Sequence, residues 1–411
     1  MKIENEAIPE NWEVIKFKNN VGLLGGYPFD SKKFNEDGIG LPLIRIRNIL
    51  KGYSETFFNG EYLKDYLIEK NDILVGMDGD FHISRWQGNK ALLNQRILKL
   101  YQIPNSQINL DFFYYLAQPF LDRVHFRTAG TTVKHLSNKD FYNAKFKLPP
   151  LPEQQKIAEI LSTVDEKIAV IDQQITATEE LKKGLMQRLL TKGIGHTEFK
   201  DSPLGEIPKS WEVRKLEEIA EIKGGKRLPK GKSLIETKNS HPYIRVADMK
   251  MGGVDISNIL YVPDDVFPSI ARYIINKGDL FITVAGTLGL VGEIPEGLDG
   301  ANLTENADKI TNIKVDKHFL LYVLLSPIIQ NAVEREQTNN AQPKLALTRI
   351  RTFKVPVPPQ VEQQKIAGSL KCVFEKIENQ KDKKQAYLQL KKGLMQQLLT
   401  GKVRVNQLLE A

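Results

Sequence analysis

One long stretch of this chain occurs twice, and that repeat constrains the fold more than any other feature. The first copy, EQQKIAEILSTVDEKIAVIDQQITATEELKKGLMQRLLT, runs from Glu153 to Thr191, and the second, EQQKIAGSLKCVFEKIENQKDKKQAYLQLKKGLMQQLLT, runs from Glu362 to Thr400. EQQKIA opens both copies, and LKKGLMQ followed by LLT closes them, at a constant offset of 209 residues. An internal repeat of this kind predicts two copies of one structural unit.

Each copy has the apolar spacing of a long helix. Prolines precede the first copy, and apolar residues then recur at alternating spacings of four and three, as in a coiled coil. From Glu153 to Leu190 a helix of 38 residues would be about 57 Å long. Two such rods favour a paired arrangement, with two independent amphipathic helices as the alternative. The predicted pairing positions are Ile157, Leu161, Val164, Ile168, Ile171, Ile175, Leu185 and Leu189 in the first helix, and Ile366, Leu370, Val373, Ile377, Leu394 and Leu398 in the second.

Two further features stand out within the repeat. Gln380 and Lys384 occupy pairing positions that Ile171 and Ile175 hold in the first copy, so we expect them to fix the register of the helices. Gly184 and Gly393 recur at one position, where a helical glycine costs about 1 kcal/mol relative to alanine. We interpret this repetition as a sign of close backbone approach.

The duplication extends beyond the helices. IPENWEV at residues 8–14 returns as IPKSWEV at 207–213, and PLIRIRNI at 42–49 returns as PYIRVADM at 242–249. KNDIL at 70–74 returns as KGDLF at 277–281, and both pairs of short apolar runs are typical of strands. The alternation in LIRIR and YIRV would place Arg45, Arg47 and Arg245 on one face of a strand, with an ordinary solvent-exposed sheet face as the plainer explanation. FFYYLAQP at 112–119 and LLYVLLSP at 320–327 predict core helices that end at proline. Each globular segment is therefore predicted to be mixed α and β.

These boundaries predict an α+β chain with an internal pseudo-two-fold repeat. Residues 1–150 and 207–357 form the two globular segments, and residues 151–192 and 358–401 form the two long helices. Residues 193–206, rich in glycine, proline and polar side chains, are predicted to be a linker, and residues 402–411 a tail without an internal counterpart. Gln360 and Val361 replace the Leu-Pro of the first helix start, so the second helix is expected to begin differently.

Composition excludes several classes of protein. The opening residues lack the apolar core of a signal peptide, and the longest apolar run, Phe319–Leu325, is too short to span a bilayer. A cytoplasmic protein is therefore expected. The one cysteine, Cys372, allows no intrachain disulfide and no thiolate-rich metal site. A formal net charge of +8 is compatible with a nucleic-acid partner.

Motifs for catalysis are missing. GGKRLPKGKS at residues 224–233 resembles a phosphate-binding P-loop, but the spacing between its glycines is one residue too long. The chain has neither the Asn-Pro-Pro-Tyr nor the Asp-Pro-Pro-Tyr tetrad of amino-methyltransferases. Pro263 and Asp264 have no nuclease-type Glu-x-Lys or Asp-x-Lys after them in their segment, and the histidines show no zinc-site spacing. We therefore predict no catalytic residue and no metal site.

What remains is binding. Five basic residues crowd residues 223–232 without an acidic residue among them, a composition suited to contacting phosphates, although a solvated charge run is the plainer alternative. Residues 123–136 and 335–347 contain polar side chains that can form hydrogen bonds with base edges. The alternative is that both segments are ordinary connecting loops. The candidate DNA-binding residues are Lys32, Lys33, Arg45, Arg47, Arg127, Thr131 and Lys134, and, in the second segment, Lys223, Lys226, Arg227, Lys230, Lys232, Arg245, Lys344 and Arg349.

In combination, LPPLPEQQKIAEIL, the KGLMQRLLT ending and SPLGEIPKSWEV resemble the DNA-specificity subunit of Type I restriction-modification systems. The resemblance spans nearly the whole chain. It implies two target-recognition domains, each reading half of a bipartite site on double-stranded DNA, and two long helices that pair antiparallel. Half-sites read from one side of the duplex would lie roughly 34 Å apart.

The resemblance also implies that the chain has no catalysis and no cofactor of its own. It implies assembly with two methyltransferase subunits, which bring S-adenosylmethionine, and two restriction subunits, which translocate DNA and use ATP and magnesium. The rival interpretation is a scaffold whose helices dimerise and whose globular segments bind protein. A stand-alone nuclease or methyltransferase is disfavoured by the missing motifs.

Overall fold

A computed structural model of the chain describes residues 9–128, 134–337 and 344–405. The chain forms two compact units: unit 1 combines residues 1–172 with 383–411, and unit 2 comprises residues 173–382. Both boundaries fall inside long helices. Each long helix therefore contributes one half to each unit.

Unit 1 is a mixed α and β structure with three sheets. Its strands are β1 (Glu13–Lys16), β2 (Val21–Gly25), β3 (Phe34–Asn35), β4 (Leu41–Ile44), β5 (Phe57–Phe58), β6 (Leu67–Ile68), β7 (Ile73–Gly76), β8 (Ile83–Arg85), β9 (Ala91–Leu93), β10 (Ile97–Gln102) and β11 (Lys145–Leu148). Its helices are α1 (Ile46–Ile49), α2 (Leu110–Arg127), α3 (Asn138–Tyr142), the first part of α4 (Leu151–Leu189) and the last part of α10 (Gln360–Leu398).

Unit 2 repeats this plan with additional short strands. Its strands are β12 (Phe199–Lys200), β13 (Ile207–Pro208), β14 (Glu212–Lys215), β15 (Glu221–Gly224), β16 (Pro242–Ile244), β17 (Met249–Lys250), β18 (Gly253–Val254), β19 (Leu260–Tyr261), β20 (Ile274–Ile275), β21 (Leu280–Thr283), β22 (Val291–Glu293), β23 (Ala301–Leu303), β24 (Ala307–Thr311) and β25 (Lys354–Val357). Its helices are α5 (Leu216–Ile219), α6 (Phe267–Ile270), α7 (Lys317–Leu325), α8 (Pro327–Gln337), α9 (Leu347–Arg351) and the remaining parts of α4 and α10.

The four-stranded sheets of the two units correspond strand for strand. A four-stranded antiparallel sheet has the order β2-β10-β7-β8 in unit 1 and β15-β24-β21-β22 in unit 2. A second sheet contains one parallel pair, β4 with β9 or β16 with β23. Leu98 pairs with Gly25 and Val75, just as Asp308 pairs with Gly224 and Ile282. This register fixes which residues of the two units are equivalent.

The repeated EQQKIA motif joins each long helix to its own unit. Gln154 accepts a hydrogen bond from the Asn109 backbone N–H at 2.8 Å, and Gln363 accepts one from Asp316 at the same distance. Ile157 and Ile366 are both fully buried in the core of their unit. The motif is therefore a docking element for the start of the helix.

The repeated LKKGLMQ motif, near the end of each long helix, packs onto the core of the unit that contains that end of the helix. Leu394, Met395 and Leu398 of α10 lie against the hydrophobic core of unit 1, which also contains the first turns of α4. In unit 2, Met186 of α4 and Leu190, which directly follows α4, belong to the core. Each unit thus combines the start of one long helix with the end of the other, which is the antiparallel order.

Burial of the predicted pairing positions is uneven. Half-buried positions are Ile168, Ile175, Leu185, Leu189, Val373 and Leu394, and the remaining positions are buried. Lys384 forms an ion pair with Asp172 at 2.6 Å, whereas the buried Oε1 of Gln380 has no hydrogen-bond partner among the described residues. The polar pairing positions therefore differ from each other: one reaches the opposite helix, and the other leaves a buried polar atom unsatisfied.

Several expectations about the helices are wrong. Among the described residues, no atom lies within 4 Å of a Cβ added at Gly184 or Gly393, so this chain itself supplies no close backbone approach at either glycine. Helices α4 and α10 begin at equivalent positions, because a proline carbonyl, Pro150 or Pro359, accepts the first backbone hydrogen bonds of each. Helix α2 continues through Pro119, because burial of the following residues outweighs the lost hydrogen bond.

The described part of the chain after α10, up to residue 405, has an internal counterpart after α4, contrary to expectation. Gly193 after α4 and Gly401 after α10 both have positive φ, +65° and +72°. A Cβ on Gly193 would lie 2.8 Å from Trp211 Cζ2, and one on Gly401 would lie 3.1 Å from Trp12 Cζ2. The chain leaving each long helix therefore turns against the equivalent tryptophan. The predicted linker also contains a strand, β12, paired with β13.

Candidate nucleic-acid interface

The basic loop of unit 2 begins at the end of strand β15 and is exposed. Its five basic residues all lie at the surface: Lys223, Lys226, Arg227, Lys230 and Lys232. The fold supplies the acidic residues that the loop itself lacks. Three ion pairs of 2.5 Å result, Lys223 with Glu221, Arg227 with Glu305 and Lys232 with Asp265. Solvent screens exposed ion pairs of this kind, so phosphate oxygens could replace these partners at little cost.

Two tyrosines contact this loop at Lys226. The buried Tyr243 donates its hydroxyl to the Lys226 carbonyl at 2.9 Å. The Lys226 ammonium lies 5.8 Å from the centre of the Tyr273 ring, within cation–π range. Burial raises the pKa of Tyr243, so its hydroxyl stays protonated and remains a donor. The loop backbone is thereby held in place while its basic side chains face outward.

The equivalent loop of unit 1 carries less charge. Lys32 and Lys33 are exposed on a single 3-10 turn, Ser31–Lys33, and the Asp30 carboxylate accepts the Lys32 backbone N–H at 3.0 Å. The two loops therefore present different chemistry at equivalent places.

The predicted placement of three arginines on strand faces is wrong. Strand β4 ends at Ile44 and β16 ends at Ile244, so Arg45 and Arg245 begin the next turn. Arg47 lies within α1. The strands stop here because the side chains three residues later, Asn48 and Asp248, accept the arginine backbone N–H groups.

The side chains of these arginines differ in how many of their N–H donors already form hydrogen bonds within the protein. Arg245 donates to the buried Asp248 carboxylate through Nε at 2.9 Å and Nη2 at 2.5 Å, and to the Asn258 carbonyl at 2.9 Å. Arg45 lies 5.5 Å from the Phe34 ring centre, and Arg47 is exposed. Arg245 thus uses most of its donors within unit 2.

The remaining candidates lie within or near the two internal segments, residues 129–133 and 338–343, that fall outside the described residues. Thr131 lies outside the described residues. Arg127 is exposed in the last turn of α2, and Lys134 donates to the His125 carbonyl at 2.6 Å. In unit 2, Lys344 is exposed next to the Ala285 backbone, and Arg349 pairs with Glu336 at 3.6 Å.

A three-residue cluster that sequence reasoning did not single out lies beside Lys134. The Asp78 carboxylate, whose side chain is 13% exposed, accepts from Arg96 and lies 2.6 Å from His135 Nδ1. Burial alone would raise the pKa of Asp78, but the hydrogen bonds from Arg96 and His135 outweigh it and lower that pKa. The three residues are far apart in sequence, so only the fold brings them together.

Unit 2 contains an isolated buried carboxyl near its own basic residues. Asp308 on β24 is 4% exposed, and its Oδ2 has no hydrogen-bond partner among the described residues. Burial raises its pKa to about 6, against the opposing charges of Lys344 and Arg351. A recess of about 500 Å³ lined by Lys223, Arg272 and Arg351 adjoins this strand.

The described part of the chain contains no cluster of three or more histidine, cysteine, aspartate or glutamate side chains placed to hold a metal ion. Within the same residues, none of the helices combines the length and the apolar character needed to cross a bilayer.

Solved structures share this fold. The specificity subunit of a Type I restriction-modification system from M. genitalium superposes with a TM-score of 0.65 at 19% identity, covering 96% of this chain and 97% of that one. A chain from a structure described as the basis of complex assembly and conformational transition of the Type I system gives a TM-score of 0.54 at 16% identity, covering 97% and 100%.

Sequence relatives agree. The chain is 29% identical over 425 residues to the Type I restriction enzyme MjaVIII specificity subunit of Methanocaldococcus jannaschii, covering 98% of this chain and 95% of the relative. It is 27% identical over 382 residues to the EcoBI specificity subunit of Escherichia coli, covering 90% and 80%. Residues 9–180 and 208–389 each match the family model described as the Type I restriction modification DNA specificity domain. The chain belongs to the family of Type I restriction-modification specificity subunits, the non-catalytic, DNA-recognising components of these systems.

Proposed function

We propose that this chain reads a bipartite, asymmetric site on double-stranded DNA, and that each unit reads one half of that site. The observation that supports this most is the pairing of one topology with two different surfaces. Equivalent positions carry Tyr27 and Lys226 in the loop after the first strand of the four-stranded sheet. Two domains with one docking geometry and different side chains would read different half-sites.

The exposed basic residues supply the phosphate contacts in this proposal. Lys226, Lys230 and Lys32 are exposed on loops rather than buried in ion-pair networks, and lysine binds phosphate as a mobile point charge. Such contacts set affinity and orientation without carrying sequence information. Base discrimination must then come from side chains with fixed geometry.

Helices α4 and α10 have two roles in the proposal: they set the spacing of the half-sites and dock two methyltransferase subunits. Each helix has 39 residues, which corresponds to about 58 Å of rod. Large apolar side chains are nevertheless exposed on them: Val170, Leu181, Leu388 and Leu390. Exposed apolar residues on a helix suit packing by partner helices. The methyltransferase subunits would supply S-adenosylmethionine, and two restriction subunits would use ATP and magnesium.

A binding selection tests the reading of two half-sites. The chain, assembled with its methyltransferase subunits, is mixed with random duplex DNA, and bound sequences are recovered. Two short specified blocks separated by a fixed, unspecified spacer are expected. Binding that is independent of sequence and responds weakly to salt would favour the scaffold interpretation, because phosphate contacts give a steep salt dependence.

A matched deletion tests the spacing role. Removing residues 173–179 from α4 and 377–383 from α10 takes one heptad from each helix and keeps the heptad phase. The rod shortens by roughly 10 Å, so the selected spacer should shorten by about three base pairs. An unchanged spacer in a complex that still binds would contradict the ruler role while leaving half-site reading intact.

A further inference from the structure

The turn before strand β10 in unit 1 has the same backbone hydrogen bonds as the turn before strand β24 in unit 2. Tyr27 N–H donates to the Leu93 carbonyl at 3.0 Å, and Lys226 N–H donates to Leu303 at 2.8 Å. The carbonyl of Arg96 accepts from Met77 at 3.0 Å, and that of Asn306 accepts from Val284 at 2.8 Å. Arg96 and Asn306 are therefore equivalent positions.

Each turn holds an exposed arginine against a less exposed carboxylate, but with the partners exchanged. In unit 1 the turn supplies Arg96, 63% exposed, and the neighbouring segment supplies Asp78. In unit 2 the turn supplies Glu305, 27% exposed, and the loop after β15 supplies Arg227, 77% exposed, with a separation of 2.5 Å between Nε and Oε1. Both units thus hold an arginine guanidinium against a carboxylate at this turn, although the two arginines are not at equivalent sequence positions.

The hydrogen bond to the carboxylate leaves one edge of each guanidinium available to bind another group. Arg96 uses Nη1 for Asp78, and Arg227 uses Nε for Glu305. Among the described residues no other hydrogen bond from either guanidinium is present, so each keeps at least two adjacent N–H donors facing solvent. Hydrogen bonding to the carboxylate raises the pKa of both arginines, and the charge is therefore permanent.

Arg96 is also in an unusual backbone conformation. Its φ is +68°, and the other non-glycine residues with positive φ in the described chain are all asparagine, the type that tolerates this region. An arginine gains nothing locally from that conformation. Backbone strain of this kind concentrates where a side chain must be aimed.

We propose that Arg96 and Arg227 each donate two hydrogen bonds to the major-groove edge of a guanine, O6 and N7, one in each half-site. This inference rests on the proposed function and names the base-reading side chains within it. Asp78 and Glu305 are positioning residues, which fix the guanidinium before DNA arrives.

The chemistry favours a base edge over a phosphate. A phosphate accepts hydrogen bonds over a wide range of directions, so mobile lysines serve it, as on the loops nearby. Guanine presents two acceptors in one plane, which the rigid arginine fork matches. A recognition group of this kind works best when a second side chain holds its orientation.

Methylation-motif mapping of variants tests the inference. The chain is expressed with its methyltransferase subunits, and methylated adenines are mapped by single-molecule sequencing for wild type, R96A, R96K and D78N, and for R227A, R227K and E305Q. Lys90→Ala is the matched control, because Lys90 is an exposed, ion-paired residue of unit 1 away from the turn.

The expected result is loss of discrimination at one G·C pair per variant, by roughly 5- to 150-fold. Variants of Arg96 and Asp78 should relax one half-site, and variants of Arg227 and Glu305 the other. The lysine substitutions should relax the same base pair as the alanine substitutions, because lysine keeps the charge and loses the fork. K90A should leave the motif unchanged.

Two results overturn the inference. One is uniform weakening at every position, with a salt slope lower by about one in binding titrations, which is the behaviour of a phosphate contact. The other is an unchanged motif in R96A and R227A. Failure of the proposed function is distinguishable from both, since wild type itself would then direct no bipartite motif.

Discussion

Unit 1 and unit 2 fasten the start of their long helix through the same glutamate of the repeat but with different partners. Glu153 is 2% exposed and forms a two-pronged ion pair with Arg404 of the tail, at 2.8 and 2.7 Å. Glu362 instead accepts from three groups: the Ile194 N–H at 3.0 Å, His196 Nε2 at 2.8 Å and Trp211 Nε1 at 3.0 Å.

The difference shows what the repeat preserves. The chain after each helix returns to the start of the other helix in both units, and the glutamate binds whatever donor arrives there. Trp12, the equivalent of Trp211, keeps a buried Nε1 without a partner among the described residues, because Arg404 occupies both oxygens of Glu153. The location is retained while the chemistry has diverged: a single strong pair in unit 1, and a shared set of donors in unit 2.

The largest effect should follow loss of the unit 1 pair. Arg404→Ala leaves the buried Glu153 carboxylate uncompensated, which costs about 3–5 kcal/mol. Hydrogen exchange followed by mass spectrometry on peptides of unit 1 and unit 2 measures the loss separately in each. Adding Glu153→Gln to R404A should restore part of the stability, because no buried charge remains. Equal destabilisation of both units would argue against a local fastening.

A second contrast concerns the equivalent strands β10 and β24, where unit 1 has Leu98 and unit 2 has Asp308 at the same position. The folded-state pKa of Asp308 is raised to about 6 from an ordinary value of 3.8, so the folded protein binds the extra proton between these values. Stability of unit 2 from this group is therefore full below about pH 4 and is lost as pH rises through 6, by roughly 2–3 kcal/mol.

Asp308→Leu and Asp308→Asn both remove this titration. The measured quantity is the change in unfolding free energy of unit 2 between pH 4 and pH 7, compared with wild type. A smaller decline with pH in both variants is expected, whatever their absolute stability. A pH profile parallel to that of wild type would show that Asp308 ionises in the fold without cost.

A smaller effect is expected from His196→Ala, the counterpart of R404A. Glu362 keeps its hydrogen bonds from the Ile194 backbone and from Trp211, so about 1–2 kcal/mol should be lost from unit 2. Hydrogen exchange in unit 2 measures it, with H196Q as the variant that can retain a donor. A loss as large as that in R404A would mean that the two fastenings depend equally on one side chain.

The smallest effect concerns the polar positions between the helices. Lys384 and Asp172 are 32% and 46% exposed, and a pair of this kind contributes about 0–1 kcal/mol. Lys384→Ile should therefore change stability little, and if the lysine fixes register, the variant should show altered exchange protection along both helices. Greater stability with unchanged protection would count against the register role.

Sequence alone predicted the elements with strong periodicity. The long helices and the equivalent strands β7 and β21 were predicted because their apolar spacing is local and is repeated. The contacts that fasten the units were not predicted, since Glu153 and Arg404 are 251 residues apart, and no local pattern links them. The equivalence of tail and linker was missed because the two segments share a backbone path rather than a sequence.

The candidate interface was harder to predict than the fold. Composition identified the loop at Lys223–Lys232 but not Arg96, which is a single arginine in a short turn. The alternation around Arg45 and Arg245 suggested a strand, whereas capping by Asn48 and Asp248 ends the strand first. Side-chain partners contributed by distant segments decide these points, and they depend on the tertiary fold.

The central claim is that the two units read two different half-sites. Mapping of methylated adenines by single-molecule sequencing tests it most directly, in a host that expresses this chain with its cognate methyltransferase and in a host that lacks only this chain. An asymmetric two-part motif that appears only with the chain is the predicted result. No new motif, with partner expression confirmed, or a motif with a single uninterrupted block, would contradict the account.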